Sequence, residues 1–133
     1  MLSYEQFTAF AQQGYNRIPL ALELLADLDT PLSVYCKLAN RPYSYLFESV
    51  HGGERWGRYS IIGLSSQQRL EVRDHTVRIY QDDTLLSEQQ SADPLAFIED
   101  YQAQFRVPEV EGLPRFTGGL VGYFAFDSVR LFE

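Results

Sequence analysis

The residues with the greatest chemical potential in this chain lie in one stretch, Tyr43-Ser44-Tyr45-Leu46-Phe47-Glu48-Ser49 through Gly52-Gly53-Glu54-Arg55-Trp56-Gly57-Arg58 to Tyr59-Ser60-Ile61-Ile62-Gly63. An aromatic strand delivers Glu48 and Ser49 at its end. A glycine-rich turn follows, then arginine and tryptophan, then a second apolar strand. Pairing of those strands would gather Glu48, Ser49, Arg55 and Arg58 around a small space walled by rings. Such a set suits a zwitterionic amino acid: a carboxylate or carbonyl for the ammonium, a guanidinium or backbone N–H for the carboxylate, and rings for an apolar side chain. The same residues also fit a plain hairpin, in which Glu48 and an arginine form a surface ion pair worth little.

Other chemistry finds no footing. His51 and His75 sit beside turn-forming residues and make no metal-ligand spacing. There is no H-E-x-x-H, no paired C-x-x-C and no nucleophile elbow. Gly52-Gly53 and Gly118-Gly119 lack the Gly-Lys-Ser/Thr that completes a phosphate loop, so each reads as a turn or a close backbone approach. Asp82-Asp83 falls in a hairpin loop, where solvation explains both carboxylates. Catalysis by this stretch of sequence alone is not expected.

The elements that must position these residues are legible from caps and periodicity. Ser3-Tyr4-Glu5-Gln6 is a capping box, Phe7, Phe10 and Ala11 share a helical face, and Gly14 is a C-terminal stop. Thr30-Pro31 starts a second helix, with Leu32, Tyr35, Cys36 and Leu38 apolar, before Asn40-Arg41-Pro42 breaks it. Asp93-Pro94 opens a third helix carrying Leu95, Phe97, Ile98 and Tyr101. Strand signals cover Tyr15 to Leu25, extended around Pro19, then Tyr43 to Val50 and Tyr59 to Leu64. Leu70-Glu71-Val72 and Val77-Arg78-Ile79 alternate around Asp74-His75 as a half-buried hairpin. Phe116 to Tyr123, Gly-rich and apolar, is the last of the strand signals, and Phe126 to Glu133 reads as the opening of another helix. Helices interspersed with antiparallel strands, without a βαβ rhythm, predict an α+β fold.

Composition narrows the partners. With 133 residues, one compact unit is the starting expectation, and 45% hydrophobic against 22% charged residues is ordinary globular chemistry. The formal net charge is −7 and the sequence pI about 4.8. Arg17, Arg41, Arg55, Arg58, Arg69 and Arg73 are scattered among acids, so no basic face exists for nucleic acid or an anionic membrane. The single cysteine, Cys36, excludes an internal disulfide and fits a reducing cytosol. No secretion signal opens the chain and no run approaches a bilayer span, so a cytoplasmic location is expected. The run from Val121 to Glu133 ends amid apolar sequence, which reads as a fragment of something longer.

Leu46-Phe47-Glu48-Ser49, followed by Gly53-Glu54-Arg55-Trp56-Gly57-Arg58-Tyr59-Ser60-Ile61-Ile62-Gly63, resembles the amino-terminal region of the anthranilate synthase component I family, which uses chorismate. Ile18-Pro19-Leu20, Asp29-Thr30-Pro31-Leu32-Ser33-Val34-Tyr35 and the block from Phe116 through Gly118-Gly119 and Val121-Gly122-Tyr123 to Phe126-Asp127 agree in the same order. The likeness runs from about Tyr15 onward and is weakest between Ser65 and Pro94. Phe47 stands where the family has a second leucine, a size change at a pocket wall. Phe126 stands where many members have tyrosine, which removes a hydroxyl.

The resemblance implies that residues 1–133 form an amino-terminal regulatory domain and an incomplete half of the larger chorismate-utilising fold. It implies an enzyme that converts chorismate to anthranilate, with ammonia released from glutamine by a glutamine amidotransferase subunit, component II. The chorismate site and the Mg2+ ligands would lie in a carboxy-terminal domain outside these residues, against which this part packs. L-tryptophan would be the feedback effector, contacted by Ser49 beside Glu48, with Arg58 near a basic residue of the same pocket. Component I of aminodeoxychorismate synthase, and a free-standing amino-acid-sensing module, are the alternative readings. Apolar surface left uncovered in such a fragment would favour self-association.

Overall fold

The computed structural model describes residues 2–48 and 59–131. Helix α1 spans Tyr4–Gln12, and Ser3 caps it as expected. The Ser3 hydroxyl accepts the Gln6 N–H at 3.2 Å while Gln6 Oε1 accepts the Ser3 N–H at 2.9 Å. At the other end Gly14, with φ +84°, makes the left-handed turn that glycine adopts without penalty. The Gly14 N–H donates to the Ala11 carbonyl, and the Tyr15 N–H to that of Phe10. These two bonds satisfy the last free carbonyls, and the Phe10 and Tyr15 rings meet edge to face at 5.7 Å over the turn.

Helix α2 spans Pro31–Leu38, with Thr30 and Ser33 exchanging cap hydrogen bonds. Strand β1 (Tyr45–Glu48) and strand β2 (Ser60–Gly63) pair antiparallel, Tyr45 opposite Gly63 and Glu48 opposite Ser60. Helix α2 packs on this pair. Strands β3 (Gln68–Arg73), β4 (Thr76–Gln81) and β5 (Thr84–Gln90) form a second sheet in that order. Helix α3 spans Pro94–Ala103, its first two free N–H groups held at 3.0 Å by the Asp93 carboxylate. A 3-10 helix, Phe126–Leu131, follows later. The described architecture is the α+β class that the sequence predicts: two small antiparallel sheets and a few helices.

The chain divides into two compact units, where length alone suggested one. One draws on Met1–Glu23, Asp74–Thr76 and Gln90–Glu133, the other on Leu24–Arg73 and Val77–Gln89. In the first, Asn16 ties the exit of α1 to the exit of α3. Its side chain donates to the Gln104 carbonyl at 2.7 Å and accepts the Arg106 N–H at 2.8 Å. Arg17 lies over the Phe105 ring at 5.0 Å. The second unit holds α2 and nearly all of both sheets, together with the buried hydrophobic residues found among those described, Ala39 and Val77.

Two expectations need correction, and one strand was missed. Tyr15 to Leu25 forms no strand; Pro19 withholds a ladder donor, and the backbone there pairs with no neighbour as a sheet. Phe116 to Tyr123 likewise forms no ladder, and Gly118 and Gly119 adopt φ +142° and +145°, outside strand geometry. Strand β5 was not anticipated: Leu85-Leu86 breaks the alternation and Ser87 to Gln90 is wholly polar. The helix opening at Phe126 is present, in the tighter 3-10 form.

Candidate functional site

The β1–β2 pair decides how the chemistry-bearing segment is presented. Tyr45 and Phe47 project from the same face of β1, as residues two apart on a strand must, and their rings lie 4.9 Å apart. Opposite Tyr45 stands Gly63, and a Cβ there would fall 1.9 to 2.4 Å from the Tyr45 ring. The glycine is therefore the floor on which that ring rests. In this register the last residue of β1, Glu48, faces the first residue of β2, Ser60. Chain that leaves β1 after Glu48 thus returns to the same end of the sheet.

Glu48 is exposed at that end. Ser49 and Arg58, the other two residues singled out for effector contact, lie outside the described residues, as do Arg55 and Trp56. Pairing of the two strands, on which the gathering of these groups depends, is present. The Phe47 side chain, beside Glu48, is 51% exposed.

Sequence reasoning missed the residues that hold the entry to β1. Tyr43 has φ +60°, a left-handed conformation that bulky side chains rarely take. The Arg69 guanidinium lies 4.5 Å from the Tyr43 ring and 4.3 Å from the Tyr80 ring. Counting outward from the Asp74-His75 turn puts position 69 across from position 80, and the Asp82 N–H to Gln67 carbonyl bond continues that register. The Arg69–Tyr80 half of the contact was thus available from the hairpin reading. The Tyr43 half was not, because nothing in Arg41-Pro42-Tyr43 announces a left-handed tyrosine.

Other groups add little chemistry. Among the described residues no group of three or more His, Cys, Asp or Glu side chains could hold a metal ion, so the implied Mg2+ finds no ligand set there. An open groove of about 720 Å3 in the first unit is floored by Phe10, Pro19, Leu22 and Leu113 and edged by Glu23 and Glu109. No basic side chain lines it, so it offers nothing to balance an amino acid carboxylate. The Asp29 carboxyl is held below its ordinary pKa, first by the Lys37 hydrogen bond and then by that of Ser33. The Arg78 guanidinium is raised by its hydrogen bond to Glu88. Each pair joins one half-buried side chain to one exposed partner, at the surface of the fold. No described helix is long and apolar enough to cross a membrane.

Comparison with known proteins finds relatives along the whole chain. Anthranilate synthase component 1 of Pseudomonas aeruginosa is 58% identical over 132 residues, 99% of this chain and 27% of that protein. The chain is homologous to the amino-terminal region of anthranilate synthase component 1. The component 1 proteins of Neisseria meningitidis serogroup B, 56% identical over 133 residues, and of Aquifex aeolicus, 42% identical over 133 residues, cover 100% and 99% of the chain. The chain spans 27% of the first and 26% of the second. It therefore corresponds to about a quarter of an anthranilate synthase component 1. No family model and no solved structure matches it.

Proposed function

We propose that this chain is the effector-sensing part of an anthranilate synthase component 1, the enzyme that makes anthranilate from chorismate in tryptophan biosynthesis. Ammonia reaches that reaction from a glutamine amidotransferase partner, component II. Chorismate and Mg2+ bind in the carboxy-terminal part of the full-length protein. The residues described here contribute no acid, base or metal ligand to the chemistry.

The observation that carries the sensing role is the β1–β2 register. Glu48 stands opposite Ser60 at one end of the sheet, and in sequence Ser49 follows Glu48 while Arg58 comes two positions before Ser60. An exposed carboxylate, a hydroxyl, a guanidinium and aromatic walls there suit the ammonium, carboxylate and indole of L-tryptophan. The remaining contacts come from the rest of the full-length protein, so the effector bridges the two parts. Tryptophan stabilises a conformation that binds chorismate poorly. Coupling of this kind is worth about 1–3 kcal/mol, and it is reciprocal: chorismate must weaken tryptophan binding by the same factor.

The test is Ser49→Ala in the full-length protein, read by anthranilate fluorescence against tryptophan concentration. Loss of one buried hydroxyl partner costs about 1–3 kcal/mol of effector binding. Half-inhibition should therefore move upward by roughly 5- to 150-fold at a similar uninhibited rate. An unchanged inhibition curve removes Ser49 from the site.

A further inference from the structure

Strand β1 is four residues long, and the turn that launches it is unusually constrained. Tyr43, at φ +60°, precedes Tyr45 by two residues and Glu48 by five. A tyrosine keeps a left-handed backbone only where its surroundings over-determine it. Here they do. The Ser65 hydroxyl donates to the Pro42 carbonyl at 2.7 Å, and the Ser66 N–H to the Tyr43 carbonyl at 3.1 Å. The Ser44 hydroxyl donates to the Arg41 carbonyl at 2.6 Å and lies 3.1 Å from the Tyr35 hydroxyl of α2.

Arg69 of β3 closes the set from the side. Its guanidinium sits between the Tyr43 and Tyr80 rings, at 4.5 and 4.3 Å, and its side chain is only 20% exposed. Glu71 Oε1 is 3.2 Å from Nε but off the N–H direction, so Nε and Nη1 are buried without a hydrogen-bond acceptor among the described residues. A guanidinium largely withdrawn from water, with Glu71 beside it as an ion pair, is held also by the ring faces on which it lies. The two rings come from different places: Tyr80 from the sheet β3–β4–β5, Tyr43 from the turn that feeds β1.

We propose that Arg69 is a positioning residue for the effector site, clamping Tyr43 in its left-handed turn and so fixing where β1 delivers Glu48 and its neighbour. It touches neither effector nor substrate in this role. The inference rests on the reading of residues 48, 49 and 58 as the tryptophan site.

The experiment uses the full-length protein and compares Arg69→Gln, Arg69→Lys, Tyr43→Leu and Tyr43→Phe, with Ser49→Ala in parallel. Each is measured for kcat and KM toward chorismate without effector, and for the tryptophan concentration giving half-inhibition. Arg69→Gln and Tyr43→Leu should raise that concentration about 2- to 30-fold while kcat and KM stay near wild type. Arg69→Lys should fall between, since an ammonium can rest on one ring but cannot stack between two planes. Tyr43→Phe should match wild type, because the ring face is kept. If Arg69→Gln does not fold, the Tyr43 pair decides alone. Unchanged half-inhibition in Arg69→Gln and Tyr43→Leu, beside a weakened Ser49→Ala, would overturn the clamp and leave the effector site standing. Loss of uninhibited rate in proportion to loss of inhibition would make Arg69 a structural residue only. A Ser49→Ala protein with normal inhibition would sink the effector site itself, and the positioning role with it.

Discussion

The two sheets of the second unit are built by opposite means. In β3–β4–β5 each strand meets the next across a two-residue loop, and the first position of each loop is an aspartate in the left-handed region, Asp74 at φ +53° and Asp82 at φ +52°. Aspartate tolerates that conformation because its short carboxylate bonds locally. The order of the sheet is thus written residue by residue. In β1–β2 the strands are four residues each and the connection between them is long. Among the described residues their pairing is supported by shape, with the Tyr45 ring lying on Gly63 and α2 packing on the pair. The locally specified sheet carries no candidate contact to an effector. The sheet specified at a distance carries Glu48. A site that must respond to a ligand is better placed on an element whose geometry depends on its neighbours than on one that its own turns lock.

The sharpest way to break this contrast is at Gly63. A valine there places Cβ inside the Tyr45 ring, which must swing away. Overpacking of this kind costs about 1–3 kcal/mol. Hydrogen exchange in the full-length Gly63→Val protein should show faster exchange at the amides of β1 and β2, with β3, β4 and β5 little changed. Equal loosening of both sheets would show that the two are one cooperative piece.

The reverse experiment has a smaller effect. Valine at Asp82 forces a β-branched residue into the left-handed region, at about 1–2 kcal/mol, whereas Asp82→Gly should be neutral or slightly stabilising. Exchange should rise in β4 and β5 only. If β1–β2 loosens as well, then the clamp from Tyr80 through Arg69 to Tyr43 transmits more than position.

These differences also explain what could be read before the fold was seen. The capping box at Ser3, the helix starts at Thr30-Pro31 and Asp93-Pro94, the Gly14 stop and the Asp74-His75 hairpin depend on residues within a few positions of one another, and each is where the sequence indicates. Phe116 to Tyr123 has the composition of a strand, but a strand also needs a partner edge, and none of the described residues supplies one. Strand β5 shows the converse: Ser87 to Gln90 lacks apolar alternation, yet it pairs because β4 is beside it. The candidate site divides along the same line. The Glu48 end of β1 was legible from the aromatic run and the glycine-rich turn. Arg69 was legible in part, across the hairpin from Tyr80, but its second ring, Tyr43, lies 26 positions away and no local signal joins the two.

The smallest expected effect compares the ion pairs that flank the two sheets. Asp29 leads into α2, which packs on β1–β2, and its carboxylate accepts hydrogen bonds from Lys37 and, at 2.8 Å, from Ser33. These bonds hold its pKa below the ordinary value, the Lys37 bond contributing most. The unfolded chain therefore binds the proton more readily than the folded one. The resulting stabilisation is fully present above the ordinary carboxyl pKa and is lost as pH falls through the lower, folded value. Arg78 on β4 is shifted upward by its hydrogen bond to Glu88, so its contribution through the guanidinium is present at neutral pH and fades on the alkaline side only in strong base. Asp29→Asn should accordingly cost stability at neutral pH, with the gap to wild type narrowing below about pH 4. Because Lys37 is exposed and Asp29 only half-buried, the gap should be small and should shrink further in high salt. Chemical denaturation of the full-length pair of proteins across pH 3 to 7, followed by hydrogen exchange at α2, reads it. A gap that stays constant on acidification would mean that Asp29 acts through its hydrogen bond to Ser33 in either protonation state, and that α2 is held on β1–β2 by shape alone.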